Sequence, residues 1–333
     1  MYVLLAMLLS VPIHFTAEPN FCIDLQADSI GDGATIQLYK CNGTGAQDWT
    51  IGSAASTPVA APVSTPAATA ATAANAVDAL TPAKTGYRTI FSDEFEGKQL
   101  DLTKWNLECD GSGGGNNELE YYLPFGGNHF LDGNNLTIRV LKQSFLGQPY
   151  TSAKVTTRGT FDFTYGWVEA RIKVPKGQGL WPAFWTLPKD YLYGQWPTSG
   201  ELDIMEILGG TPGTLYGTAH FGPPWPGQLQ LGGTQTATAG TDYSQDFHVY
   251  AINWQSDHVD WYLDGVKYFT MKNTDGNWQT GSQGAIASKD WPFNIPHYVL
   301  LNMAMGGQWP GAPDGTITQA DLVIDYLRVY QQD

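Results

Sequence analysis

The chain has 333 residues, of which 32 are acidic and 17 are lysine or arginine, a formal net charge of −15 at pH 7. That imbalance argues against nucleic acid, anionic membrane and acidic or sulfated polymers as partners. Charged residues make up only 15% of the chain, beside 38 glycines and 12 tryptophans, a composition that points to a β-rich protein with aromatic rings left over for its surface.

Residues 1–17 contain YVLLAMLLSVPIHF, an apolar run like the core of a secretory signal. It lacks a preceding Lys or Arg and a following A-x-A site, and with Pro12 inside it is too short to span a membrane. Export from the cell is the expectation. Residues 18–52 hold Cys22 and Cys41, which lie in one short segment and can pair; Cys109 is then left over as a structural thiol. The cysteine spacing, the IQLY strand and the Gln47-Asp48-Trp49 ending resemble one repeat of a ricin-type β-trefoil carbohydrate-binding module. A trefoil closes its core with three such repeats, and one alone buries little, so this piece reads as a remnant or flap. Residues 53–85 are rich in Ala, Thr and Pro, and Pro58, Pro62, Pro66 and Pro82 forbid a continuous helix. This is a semi-extended linker.

Residues 86–333 are long enough for one all-β domain. GWVEARIKVP alternates, with Val168, Ala170, Ile172 and Val174 on one face and Glu169, Arg171 and Lys173 on the other. HVDWYLDGVKYFTM reads as a hairpin whose Asp264-Gly265 pair supplies the positive φ of a tight turn. FHVYAINWQ, YVLLNMAMGG and DLVIDYLRVYQ are further strands. No long helical period intervenes, so two packed antiparallel sheets are expected.

One strand breaks the pattern. In GELDIMEILG, Glu201 and Asp203 share a face, because side chains alternate with a period of two, but Glu206 falls on the other. A carboxylate turned into the core without a basic partner costs several kcal/mol, and no Lys or Arg lies nearby in sequence. A β-bulge at Ile204-Met205 shifts the parity by one, returning Glu206 to its two neighbours and sending Leu202 and Ile207 inward. Two charges about 5 Å apart at an effective dielectric near 20 repel by roughly 3 kcal/mol, so the trio cannot stay fully ionised at neutral pH. A protonated carboxyl beside an ionised one is the pair that glycoside hydrolysis uses.

The motif Glu201-Leu202-Asp203-Ile204-Met205-Glu206 resembles that of glycoside hydrolase family 16. The likeness extends through NNELEYY (116–122), YGWVEARIKVPKGQGLWPAFWTLP (165–188), WPTSGELDIMEILG (196–209), GTAHFG (217–222), LNMAMGGQWPG (301–311) and VIDYLRVYQ (323–331). The resemblance implies a concanavalin A-like β-jelly-roll with a cleft on its concave face, and retaining chemistry. It implies Glu201 as nucleophile, Glu206 as acid/base and Asp203 as the group that tunes them. The extra residue in the motif and the LWPAFW and GGQWPG phrases are similar to laminarinases, so an endo-β-1,3-glucanase is expected, with laminarin-like glucan as partner and a monomeric chain. The alternatives are a mixed-linkage β-1,3/1,4-glucanase, a transglycosylase, or a non-catalytic glucan-binding protein.

Around the acids, Trp181 and Trp185 are four residues apart and share a strand face, as sugar-stacking platforms would. Trp196 and Trp309, each followed by Pro, are further candidates. The resemblance adds His220 as a hydrogen-bonding residue of the cleft, and Asn117 and Glu118 at the edge of the donor subsites. No cofactor is required for the reaction. Asp325 shares parity with the apolar Val323, Leu327 and Val329 and therefore needs a partner; the resemblance implies a structural calcium held by this aspartate and backbone carbonyls.

Overall fold

The computed structural model describes residues 86–333 except 126, 225 and 275–290, together with the backbone of five short strands between residues 6 and 52. By Cα proximity the chain divides into two units, residues 1–68 and 69–333, and the second carries the site. In the first, Glu18–Leu25 pairs antiparallel with Ile36–Lys40. The trefoil-like reading of 18–52, the pairing of Cys22 with Cys41 and the apolar segment ahead of them lie outside the described residues.

The second unit is an all-β jelly-roll sandwich. In chain order its strands are β1 (Tyr87–Asp93), β2 (Asn106–Leu107), β3 (Glu120–Tyr122), β4 (His129–Leu131), β5 (Leu136–Leu141), β6 (Tyr150–Ser152), β7 (Lys154–Thr156), β8 (Gly166–Lys173) and β9 (Leu180–Pro188). They continue with β10 (Glu201–Ile207), β11 (Thr214–Phe221), β12 (Leu229–Thr236), β13 (His248–Trp254), β14 (His258–Leu263), β15 (Val266–Lys272), β16 (His297–Met305) and β17 (Gln319–Gln332). No helix occurs among the described residues.

One sheet has the order β15-β14-β13-β8-β17-β5-β6-β3, with β1 also on β17 and β4 on β5; the other has the order β12-β11-β10-β9-β16-β7-β2. All the pairings are antiparallel except β3 with β6. The core lies between the layers. Val168, Ala170 and Ile172 of β8 and Leu322, Ile324, Leu327 and Val329 of β17 meet Phe184, Leu202, Ile204, Met205, Ile207, Leu301, Met303 and Met305 of the second sheet. Each of the larger side chains contributes about 1.5–3 kcal/mol on leaving water, and Ala170 less. The hairpin joining β14 to β15 turns at Asp264 and Gly265, with φ of 48° and 76°, the left-handed pair that a two-residue turn requires.

Two bulges decide where charged side chains go. The first lies in β10. The second lies in β17, where Arg171 pairs with Tyr326 but Ile172 pairs with Ile324, leaving Asp325 as the extra residue. The sequence reading put Asp325 on the face of Leu327; the bulge removes it from that face. Its carboxylate accepts a hydrogen bond from Arg171 Nη1 at 2.6 Å. The partner that the buried-looking aspartate called for is thus a guanidinium, which engages its Oδ2. Glu169 does face away from the core, yet it is fully buried, covered by the Trp167 indole, which donates to its Oε2 at 2.8 Å, and by the Tyr330 hydroxyl.

Candidate active site

Against β9, Met205 pairs with Phe184 and Asp203 with Trp185, which leaves Ile204 unpaired. Against β11, Glu201 pairs with His220, Asp203 with Thr218 and Glu206 with Tyr216, with the register shifting between Asp203 and Glu206. The bulge therefore falls at Ile204-Met205, as the parity of the acids requires. Both bulge side chains, like those of Leu202 and Ile207, are fully buried in the core. Two apolar anchors on one side hold the kink, and the three carboxyls emerge together on the other.

Cross-strand partners share a face, so the pairing draws the floor of the cleft. One row reads Thr218, Asp203, Trp185, Leu300 and the next reads Tyr216, Glu206, Ala183, Asn302, Lys154. His220 stands beside Glu201, with its Nε2 at 3.1 Å from Asp203 Oδ2 and 4.0 Å from Glu201 Oε1.

Each glutamate of the trio is held by an indole. Trp196 Nε1 donates to Glu201 Oε2 at 2.7 Å and Trp181 Nε1 donates to Glu206 Oε1 at 3.0 Å. Trp181 also meets Trp309 edge-on at 5.2 Å between ring centres, and Trp309 meets Tyr216 at 5.1 Å. Trp196 and Trp309 remain 40% and 39% exposed, which leaves ring surface for a ligand. Trp185 donates its indole N–H to Asn302 Oδ1 at 2.7 Å. Trp181 and Trp185 share the cleft face, as their spacing predicts.

Burial raises all three acids. Glu201 is pushed up to about 8 by burial and the charge of Asp203, against the pull of His220 and the Trp196 N–H. Burial takes Asp203 to about 7. Glu206 lies well above the usual carboxylate range, first through burial and then through Asp203. The cluster thus keeps protons at neutral pH. One oxygen each of Glu201 and Asp203 and a ring nitrogen of His220 lie within 4.8 Å of one another, a spacing a cation would accept, and binding one there would release the protons the acids hold.

Of the other expected site residues, Asn117 is exposed in a left-handed turn with φ 58°. Glu118 is turned inward and is only 7% exposed. The sequence reading passed over Asn302, Tyr122 and Lys154. Asn302 had a signal: it is the one amide in a nine-residue strand whose every member is buried, where a polar group needs partners.

The family model for glycosyl hydrolases family 16 matches residues 117–328. The chain is 38% identical over 268 residues to a glucan endo-1,3-beta-glucosidase A1 of Niallia circulans, covering 75% of this chain and 39% of that protein. It is 36% identical over 258 residues to a beta-glucanase of Rhodothermus marinus, covering 74% and 85%. The solved structure of the laminarinase from Rhodothermus marinus superposes with a TM-score of 0.66 at 36% identity, over 74% of this chain and 98% of that one.

Proposed function

The chain belongs to glycosyl hydrolases family 16, and on that footing we propose that it is a secreted, monomeric endo-hydrolase of β-1,3-glucosidic bonds in laminarin-like glucans, acting with retention of configuration. The observation that carries this reading is the bulged strand, which sets three burial-shifted carboxyls in one cleft beside half-exposed indoles.

In the first step the Glu206 carboxyl gives its proton to the leaving glycosidic oxygen while a Glu201 carboxylate oxygen bonds to the anomeric carbon. In the second step Glu206, now ionised, takes a proton from water as the water displaces Glu201. Ionising Glu201 next to Asp203 requires that the Asp203 carboxyl stay neutral or share a proton, and His220 Nε2 stands 3.1 Å from that carboxyl. Trp181, Trp185, Trp196 and Trp309 offer flat apolar surface to pyranose rings, each worth at most a few kcal/mol at about 25 cal/mol per Å² covered.

The test is to incubate the purified chain with laminarin, lichenan and curdlan and follow reducing ends and the oligosaccharide ladder. Internal cleavage of laminarin ahead of lichenan is expected. Binding without release of reducing ends would instead favour a glucan-binding protein, and faster attack on lichenan a mixed-linkage enzyme.

A further inference from the structure

Behind Trp185 lies a second pair of acids that the reaction does not use. Glu118, Glu120 and Tyr122 follow one another at the two-residue spacing of a strand face, and they are 7%, 1% and 2% exposed. Glu118 and Glu120 are hydrogen-bonded to each other. Glu120 Oε2 accepts the Met305 backbone N–H at 2.7 Å. The turn at Gly113–Gly115 closes over Glu118 so tightly that a Cβ on Gly114 would fall 2.4 Å from its Oε1.

From this pair a chain of hydrogen bonds runs to the cleft. Tyr122 is bonded to Glu120 and accepts from Asn302 Nδ2 at 3.0 Å. Having accepted from the amide, the Tyr122 hydroxyl spends its own proton on Glu120. With its NH₂ committed to Tyr122, Asn302 turns its Oδ1 to the Trp185 indole at 2.7 Å. Each link has one direction: the indole can only donate, and the carboxyl pair supplies the terminal acceptor.

We propose that Glu118 and Glu120 form a single-proton carboxyl pair that orients the Trp185 indole through Tyr122 and Asn302, which makes Glu120 a positioning residue for a ring of the cleft. The functional meaning rests on the glucanase reading above; the orientation itself does not.

Two carboxylates in contact out of water cannot both be charged. Burial and the charge of Glu118 push Glu120 up to about 8, so the shared proton leaves in mildly alkaline solution and the pair then repels. The other groups facing it are Lys154 of β7 and Asp110 before β3, which act on Glu118 in opposite directions, and Asn116, which bonds to it; Lys154 is itself paired with Glu108 at 3.5 Å. Asp203 lies across from Trp185 on β10 and is the rival source of any titration seen at that ring.

The experiment follows the indole ¹H–¹⁵N resonance of Trp185 in the full chain, assigned by its loss in Trp185→Phe, from pH 6 to pH 10. In the native protein it is expected to shift with a midpoint near 8. In Glu120→Gln an N–H replaces the shared O–H while the carbonyl still accepts from Tyr122, so the step with midpoint near 8 should be lost, leaving at most a lower step from Asp203. In Glu120→Ala, with no acceptor for Tyr122, the resonance should sit away from its native low-pH position at every pH. The KM for laminarin should rise several-fold above pH 8 in the native protein and less in Glu120→Gln. A native resonance that does not move, or a Glu120→Gln resonance that titrates as the native one does, overturns the proposal; these two titrations decide it even if Glu120→Ala fails to fold. Absence of laminarin hydrolysis would sink the glucanase reading and leave the resonance result standing.

Discussion

The Trp181 indole donates a 3.0 Å hydrogen bond to Glu206 Oε1, so the ring offered to a sugar is also the ring that favours the charged form of the acid beside it. That bond opposes the upward push of burial on Glu206. Trp181→Phe keeps a flat ring and loses the N–H. With the ionised form less stabilised, Glu206 holds its proton to higher pH, so the alkaline limb of kcat should move upward. Giving that proton up to the leaving oxygen is then harder, and kcat at neutral pH should fall about tenfold, the worth of one hydrogen bond to a charged group. A pH–rate profile of the variant on laminarin measures both.

Removing the acid and removing the nucleophile have different signatures. Glu206→Ala should lower laminarin hydrolysis by at least about 10³-fold, within the range general acid catalysis supplies. It should still cleave an aryl β-glucoside of laminaribiose with a phenolate leaving group that needs no proton, releasing one equivalent of phenol in a burst before a slow second step. Glu201→Ala should show no burst with either substrate. Stopped-flow absorbance of the phenolate distinguishes the two, and a burst in Glu201→Ala would exchange the assignments.

The buried acids also set how stability varies with pH. An unfolded glutamate ionises near its ordinary value of 4.5, whereas Glu201 in the folded chain keeps its proton to about 8. Between these values the folded state binds more protons than the unfolded one, so stability falls as pH rises through the window. Glu201→Gln has no proton to lose. Its Tm should exceed that of the native protein by several degrees at pH 8 and by much less at pH 4.5. Calorimetry at the two pH values gives the comparison, and an equal gain at both would show that Glu201 titrates normally.

The bulge allows a sharper trial. Deleting Ile204 leaves Glu-Leu-Asp-Met-Glu, in which all three acids fall on one face of a regular strand without any kink. One buried apolar side chain is lost, at a cost of about 2–5 kcal/mol. The shortened chain should unfold at lower urea yet retain activity within about a hundredfold of the native, far above Glu201→Ala, because the chemistry requires a shared face. A folded deletion protein no more active than Glu201→Ala would mean that the spacing along the strand matters as well.

The acids at 201, 203 and 206 were legible because a charged side chain in an apolar strand has few places to go, and only an extra residue reconciles their spacing. The second bulge, at Asp325, was not legible. Its neighbours are apolar on both parities, Val323 and Leu327 on one and Ile324 and Tyr326 on the other, so alternation gives no warning, and Arg171, its partner, is 154 residues away. Long-range pairing likewise hid the role of Asn302, and the fold of a short loop hid that of Trp196, five residues from its partner. A tryptophan before a proline gives no sign that its N–H will reach Glu201, and an asparagine among buried neighbours announces a need for partners without naming Trp185 and Tyr122. The alternation of β8 placed Glu169 away from the core correctly, but the aromatic cover on that face comes from β17 as well as from β8 itself.

Gly217 leaves a gap on β11 through which Trp261, from β14 of the opposite sheet, donates its indole N–H to the Asp203 carbonyl at 2.8 Å; a Cβ on Gly217 would fall 2.4 Å from that ring. This carbonyl sits where the bulge interrupts the ladder, and the indole answers it from the far layer. The two layers are thus not interchangeable parts, a cleft and its backing. Anyone transplanting the acid-bearing sheet onto a different support would have to bring along one tryptophan from the wall behind it.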